Sequence, residues 1–274
     1  MKQCHSLTAF LFLFCAFANA QNKIDELVNA EKSFATFSKQ HSTKAAFVNF
    51  LDSNSVVFRN GAGVNGLDTW SHRKEDSSLL FWEPEFAVMS ASGDFGVTSG
   101  PSVFKPSRAE NERSFHGHFA SVWHKNSHRQ WKVLCDIGIN HDCTYKANEN
   151  IIKVMLPVNK NFANEAQMSV LATEQRFFNS FKQFHASLPA GMVSSKARIL
   201  LQGKHPLHSS QLHKYDFTST FSGIQFINID HLTSPSNDLF VSYGKTKTKD
   251  KEANYLTAWI NEGKGWKLIL FLVN

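Results

Sequence analysis

The chain repeats itself at a spacing of about 143 residues, and this doubling constrains its architecture more than any other feature. Ala30-Glu31-Lys32-Ser33-Phe34 returns as Thr173-Glu174-Gln175-Arg176-Phe177, and Val56-Val57-Phe58-Arg59 falls on Ile199-Leu200-Leu201-Gln202. Asp94, Val97 and Gly100 match Asp238, Val241 and Gly244. Trp123 and Trp131-Lys132 match Trp259 and Trp266-Lys267. The doubling predicts two units of one fold and says little about chemistry.

The first residues predict export. Met1-Lys2 is a basic start, Leu7–Phe17 is an apolar run, and Ala18-Asn19-Ala20 is a small-x-small cleavage site. The run is shorter than the roughly 18 residues a membrane helix needs, and bulky Phe14 argues against a lipid anchor on Cys15. The expected product is secreted or periplasmic, without a membrane anchor once residues 1–20 are removed. Of the four cysteines, Cys135 and Cys143 would remain, as a disulfide or as two thiols. The net charge of +6 is scattered along the chain with no basic stripe, so it reads as a solvated surface and not as a nucleic-acid site.

Periodicity predicts helices over Ile24–Gln40, a short segment capped by Thr43, and Leu67–Lys74, with a short strand at Ser55–Arg59. Strands follow over Leu80–Ser90, Phe95–Lys105, Phe115–His124 and Trp131–Ile139. The second half repeats the order, with a helix at Glu165–His185, a weak helix at Ala190–Ser195 and a strand at Arg198–Leu201. A helical turn at Ser209–Tyr215 precedes strands at Ile224–Leu232, Leu239–Thr248, Ala253–Ile260 and Trp266–Val273. Residues 21–140 and 165–274 form the two units, and 141–164 link them, with Ile151–Leu156 suited to an edge strand. Helices followed by an antiparallel meander predict an α+β fold of two tandem cones, each a curved sheet around its own helices.

Several segments resemble the nuclear transport factor 2-like (cystatin-like α+β cone) superfamily, in particular its SnoaL-like secreted branch. They are Phe47-Val-Asn-Phe-Leu-Asp, Val57-Phe-Arg-Asn-Gly, Trp82-Glu-Pro, Gly93-Asp-Phe-Gly-Val-Thr-Ser-Gly-Pro101 and Trp131-Lys-Val-Leu-Cys-Asp-Ile-Gly138. The resemblance covers Asn22–Asn140 and is fainter over Glu165–Asn274. It implies a cone with an internal hollow, in a superfamily that includes isomerases, cyclases, dehydratases and pockets without known chemistry. It also implies pairing through outer sheet faces, which a tandem repeat can satisfy inside one chain as a pseudo-dimer.

Strand register supplies the candidate chemistry. Setting Trp123 opposite Trp131 places His118 opposite Asp136 and His116 opposite Gly138. A His118–Asp136 pair would serve as an acid/base dyad, or the two groups would simply satisfy each other. A register slip of one would dismantle the pair. The second half carries Asn254 and Phe271 at these positions, so any dyad belongs to the first half. His116, with His118 and His124, offers imidazoles on one strand and is a candidate ligand contact, but 13 histidines make such spacing common and no metal is expected.

Arg59 ends a strand near the opening of the cone and can meet an anionic ligand group or a helix carboxylate. Trp70 and Trp82 are pocket wall or core, and Glu31 and Glu174 read as solvated or strand-capping. Asp94 and Asp238 sit at turns, where Asp usually bonds its own backbone. Gly61-x-Gly63 lacks a following Lys-Ser/Thr, so no phosphate cradle or cofactor is expected. These features predict an exported protein that binds a small apolar or carboxylate-bearing molecule in its first unit. An isomerase, cyclase or lyase using His118 and Asp136 is the alternative, and a purely structural module the third reading.

Overall fold

The computed structural model describes residues 5–59, 61–109, 111–142, 144–145, 150–158, 165–182, 188, 191–263 and 265–274. Side chains are described from residue 23 onward and, in the helix at 165–180, from residue 170. Cys143 and residues 183–187 lie outside the described residues, so the disulfide question and the end of the predicted helix at His185 do too.

The first half holds helices α1 (His5–Gln40), α2 (Thr43–Phe50) and α3 (Gly66–Ser71) against strands β1 (Leu51–Arg59), β2 (Ala62–Asn65), β3 (Leu79–Trp82), β4 (Phe86–Met89), β5 (Phe95–Lys105), β6 (Phe115–Lys125) and β7 (Trp131–His141). The second holds α4 (Glu165–Ser180), α5 (Phe217–Phe221) and strands β9 (Val193–Leu201), β10 (Leu207–His208), β11 (Gln225–Thr233), β12 (Leu239–Lys247), β13 (Glu252–Asn261) and β14 (Trp266–Val273). Between them, β8 (Ile152–Met155) pairs in parallel with β4 and covers that edge. The sheets run β2-β1-β7-β6-β5-β4-β8, with β3 also on β5, and β10-β9-β14-β13-β12-β11. In both, the first long strand lies parallel to the last, so the halves share one topology. The fold is α+β with two cones.

Three local expectations change. Ser42, not Thr43, caps α2, because its hydroxyl accepts the Ala45 N–H. The stretch expected as one strand over 80–90 breaks into β3 and β4 at Pro84, which has no N–H to give the ladder. The weak helix expected at Ala190–Ser195 is instead the start of β9, where Val193, Ser194 and Ala197 fit a half-buried strand.

Curvature has a legible cause. The break at Pro84 is a bulge against β5, with Glu83 N–H donating to Pro101 O and Glu85 N–H to Ser99 O. Gly100 sits opposite, and a Cβ there would lie 2.0 Å from Glu83 O. The second sheet has its bulge at the same place, between Asn228 and Asp230 of β11, and a Cβ on Gly244 would lie 2.1 Å from Ile227 O. The repeated glycine is therefore the point where each sheet bends.

Each helix is tied to its sheet by a buried carboxyl. Glu31 of α1 is fully buried and accepts from Trp82 Nε1 at 2.5 Å, Thr98 Oγ1 at 2.5 Å and Trp123 Nε1 at 2.8 Å. Glu174 of α4 accepts from Thr257 Oγ1 and from Trp259 Nε1 at 3.2 Å. These residues are neither solvated nor strand-capping, as the sequence had suggested; the repeated Glu and Trp are one hydrogen-bonded unit.

The outer faces of the sheets bury each other. Val88, Val97, Ala120, Val122, Cys135 and Ile137 share one apolar cluster with Val241, Leu256, Ala258, Leu270 and Leu272. At the edges of this seam Ala91 N–H donates to Asp238 Oδ2 at 2.9 Å, Gly203 N–H to Asn140 O at 2.7 Å, and Asn254 Nδ2 to Gly61 O at 3.0 Å. Asp238 thus ties the halves together instead of closing only its own turn.

Burial holds the Glu31 carboxyl above its ordinary value of 4.5, against the pull of its hydrogen-bond donors. Its contribution to stability is therefore present at acid pH and is lost as pH rises through the raised value. Glu31→Ala, which strands three buried donors, should cost about 3 kcal/mol or more in urea unfolding. Glu31→Gln should cost less and flatten the decline of stability above pH 4.5.

Candidate functional site

The β6–β7 hairpin decides what faces the hollow. Asn126 side-chain Oδ1 accepts the His128 and Gln130 N–H groups, and Arg129 takes φ 60°, so the loop closes tightly. Lys125 then faces Trp131, and a bulge between Val122 and Trp123 shifts the ladder again. Trp123 faces Val133, His118 faces Ile139, His116 faces His141, and Ser121 faces Asp136.

The expected His118–Asp136 dyad therefore does not form. The offset from the expected register is odd over this stretch, and an odd offset moves a side chain to the other face of the sheet. Asp136 lines the cone, whereas His118 lies in the seam with its Nδ1 2.9 Å from His141 Nε2 and its Nε2 3.8 Å from Glu85 Oε1. Tyr145 and His141 pack on the His118 ring, and Arg198 hydrogen-bonds His208 nearby. His116 shares the strand face of His118 and is likewise outside the hollow. Cys135, which strict alternation would set on the Trp131 side of β7, is buried in the seam instead, because the bulge intervenes. Among the described residues no group of three or more His, Cys, Asp or Glu could hold a metal ion.

The first cone encloses a cavity of about 310 Å³. Phe47, Trp70, Leu80, Trp82 and Phe119 form its walls, and Arg59, Asn140 and Asn274 lie at its exposed end. Three residues picked from sequence for ligand contact, Arg59, Trp70 and Trp82, thus meet around Asp136. Trp70 stacks on Phe47 at 4.1 Å between ring centroids, and Trp82 is fixed by Glu31. Val57 is the ladder partner of Asp136, and Arg59, two residues along the same strand, shares its face.

Asp136 accepts a 2.8 Å hydrogen bond from Ser121 Oγ. Burial pushes its pKa up to about 7, with the Glu31 carboxyl adding to the rise and Ser121 opposing it. Asp136 therefore changes protonation state near neutral pH while facing a largely apolar hollow. His118 moves the other way: burial, then the nearby His141, His205, His208 and Arg198, lowers it to about 3, so it stays neutral.

In the second cone the same position is Phe271, opposite Thr257 as Asp136 is opposite Ser121. Its ring lies 5.3 Å from Phe177, 5.5 Å from Phe221, 6.2 Å from Phe181 and 6.0 Å from Phe226. Among the described residues this phenylalanine cluster packs around Phe271 in the second hollow. Ladder register also sets Leu201, not Gln202, at the place of Arg59, since Ile199 pairs with Phe271 as Val57 pairs with Asp136. Asn140 and Asn274 also reach the cavity, from near strand ends whose residues carry no periodic signal.

Between about pH 4 and 6.5 the two perturbed groups act oppositely on stability. Folded Asp136 keeps a proton that the unfolded chain releases, so its contribution falls as pH rises to about 7. Folded His118 refuses a proton that the unfolded chain takes up, so its contribution falls as pH drops from 6.5 toward 3. Urea midpoints across this range should fall more steeply toward acid in Asp136→Asn and less steeply in His118→Asn, by at most about 1.4 kcal/mol per pH unit.

No protein-family model and no curated protein matches the chain. Solved structures do. A Nostoc punctiforme protein of unknown function with a cystatin-like fold is 12% identical over 41% of this chain and 92% of its own, with a TM-score of 0.34. A nuclear transport factor 2-like protein with a cystatin-like fold from Novosphingobium aromaticivorans is 14% identical over 54% of this chain and 96% of its own, with a TM-score of 0.35. A putative ketosteroid isomerase from Shewanella frigidimarina is 14% identical over 42% of this chain and 96% of its own, with a TM-score of 0.32. The solved structures to which this chain is similar are thus nuclear transport factor 2-like, cystatin-like and ketosteroid isomerase-like proteins.

Proposed function

We propose that the first half binds a compact, ring-bearing small molecule in its cone and that the second half serves as structural support. One observation carries this reading: equivalent positions hold Asp136 in an aromatic-walled cavity and Phe271 in a packed one. A cavity of about 310 Å³ with apolar walls and a few polar groups has the composition of small-molecule sites. Asp136 has Ser121 as its hydrogen-bond partner and no titratable side chain bonded to it among the described residues. That favours binding over a paired acid/base mechanism.

A second reading follows from one feature of Asp136. A carboxyl with a pKa of about 7 in a desolvated site can accept a proton from a bound carbon acid and return it. On that reading Asp136 is the proton carrier, and the aromatic walls hold the substrate and exclude water.

The test copies the second half into the first. Thermal shift against a panel of aromatic and alicyclic ketones, alcohols and carboxylates should show ligands that raise the melting point of the natural chain. Asp136→Phe should abolish those shifts while the protein stays folded by circular dichroism. Shifts that survive the substitution would place binding elsewhere. Asp136→Asn, by contrast, should keep binding and lose any turnover found.

We also infer that the chain is exported and monomeric, because residues 1–20 have the pattern of a cleavable leader and each outer sheet face is already covered by the other. Mass spectrometry of the product from an exporting host should give a chain beginning at Gln21, and light scattering should give the mass of one chain.

A further inference from the structure

We propose that the ligand of the first cavity is a ring-bearing organic acid, its ring inside the cone and its carboxylate at the mouth on Arg59, Asn140 and Asn274, with the mouth held in shape by the second half. This rests on the binding reading above and specifies the chemical class.

Among the described residues lining the cavity, the charged side chains are Arg59 and Asp136. They sit on one face of adjacent strands: Val57 pairs with Asp136, and Arg59 lies two residues, about 7 Å, further along β1. Between the Phe47, Trp70, Trp82 and Phe119 walls there is room for a ring but no cation. A carboxylate placed beside Asp136 would meet another carboxyl in a desolvated site, whereas at the open end it meets a guanidinium whose planar fork matches it. The charge therefore belongs at the Arg59 end and the ring inward. Asn140 and Asn274 add amide groups at the same end, able to donate to an anion.

The second half builds that end. Asn274 itself belongs to it, donating from Nδ2 to Gly138 O at 3.3 Å while its Oδ1 accepts the Asn254 N–H at 2.9 Å. Asn254 is buried, and its Nδ2 donates to Gly61 O at 3.0 Å and Gly244 O at 3.3 Å. Gly61 turns the chain just beyond Arg59 at φ 80°, a conformation that favours glycine. Asn140 N–H donates to Gln202 Oε1 at 3.0 Å. One buried residue, Asn254, thus holds the turn after Arg59 through its side chain and the strand end bearing Asn274 through its backbone N–H, which makes it a positioning residue for the mouth.

Isothermal titration of the full chain with phenylacetate, cinnamate and 2-naphthoate, each against its primary amide, tests this. The acids should bind up to about fivefold more tightly than their amides, the scale expected for an ion pair near the surface. Arg59→Met should bring each acid down to the level of its amide. Asn254→Ala should lower the acid-to-amide ratio in the same direction, a readout that a general loss of packing would not move. Should that variant fail to fold, Arg59→Met decides alone. Equal affinity for acids and amides, or an equal loss of both in Arg59→Met, overturns the carboxylate assignment and leaves the binding site standing. Binding of none of the six probes overturns both.

Discussion

Each sheet in this chain is apolar on both faces, and that constraint shapes everything else. The inner face can wrap its own helices, but the outer face has nothing in its own half to cover it. Val88, Val97, Val122 and Ile137 on one side and Val241, Leu256, Ala258 and Leu272 on the other solve the problem jointly. Burying apolar area of this kind stabilises by roughly 25 cal/mol per Å² removed from water, so neither half is expected to be indifferent to the loss of its neighbour. The hydrogen bonds at the rim of the seam, from Asp238, Asn254 and Asn140, orient the two sheets and add little to what the apolar contact supplies.

Within that frame the halves have diverged in one place that matters. Both keep the bend at a glycine, the helix carboxyl and the tryptophan that holds it. They differ at the centre of the hollow. A phenylalanine at 271 completes a ring cluster and closes one cone; a carboxyl at 136, paired with a serine hydroxyl, leaves the other open. The side chain at this place, together with the phenylalanines gathered around Phe271, distinguishes the packed hollow from the cavity.

Much of the architecture was legible in the residues. The repeated Gly100 and Gly244, Glu31 and Glu174, and Trp123 and Trp259 marked equivalent places before any coordinates, and the limits of β5 and β14 follow directly from alternation and turn signals. Pro84 broke a strand that hydrophobicity alone ran together. Register was the weak link. Trp123 and Trp131 look like facing partners, but Asn126 folds the loop more tightly and the ladder gains a bulge at Val122, neither of which leaves a periodic trace. The bulge turns Asp136 toward the cone and leaves His118 and His116 on the opposite face of the sheet. Arg59, Trp70 and Trp82 lie on elements other than the hairpin, and Asp136 meets them through β1.

His118 and Asn254 occupy corresponding places on the two central strands. Two identical subunits related by a symmetry axis would be obliged to bury the same residue twice, so a histidine at this point would bring two imidazoles into the junction. A gene product that carries both copies in one polypeptide escapes that obligation. Here one copy keeps an imidazole among other histidines and the other an amide that cannot titrate. Carrying both units in one chain leaves the contact between them chemically one-sided, and acid acts on only one end of it.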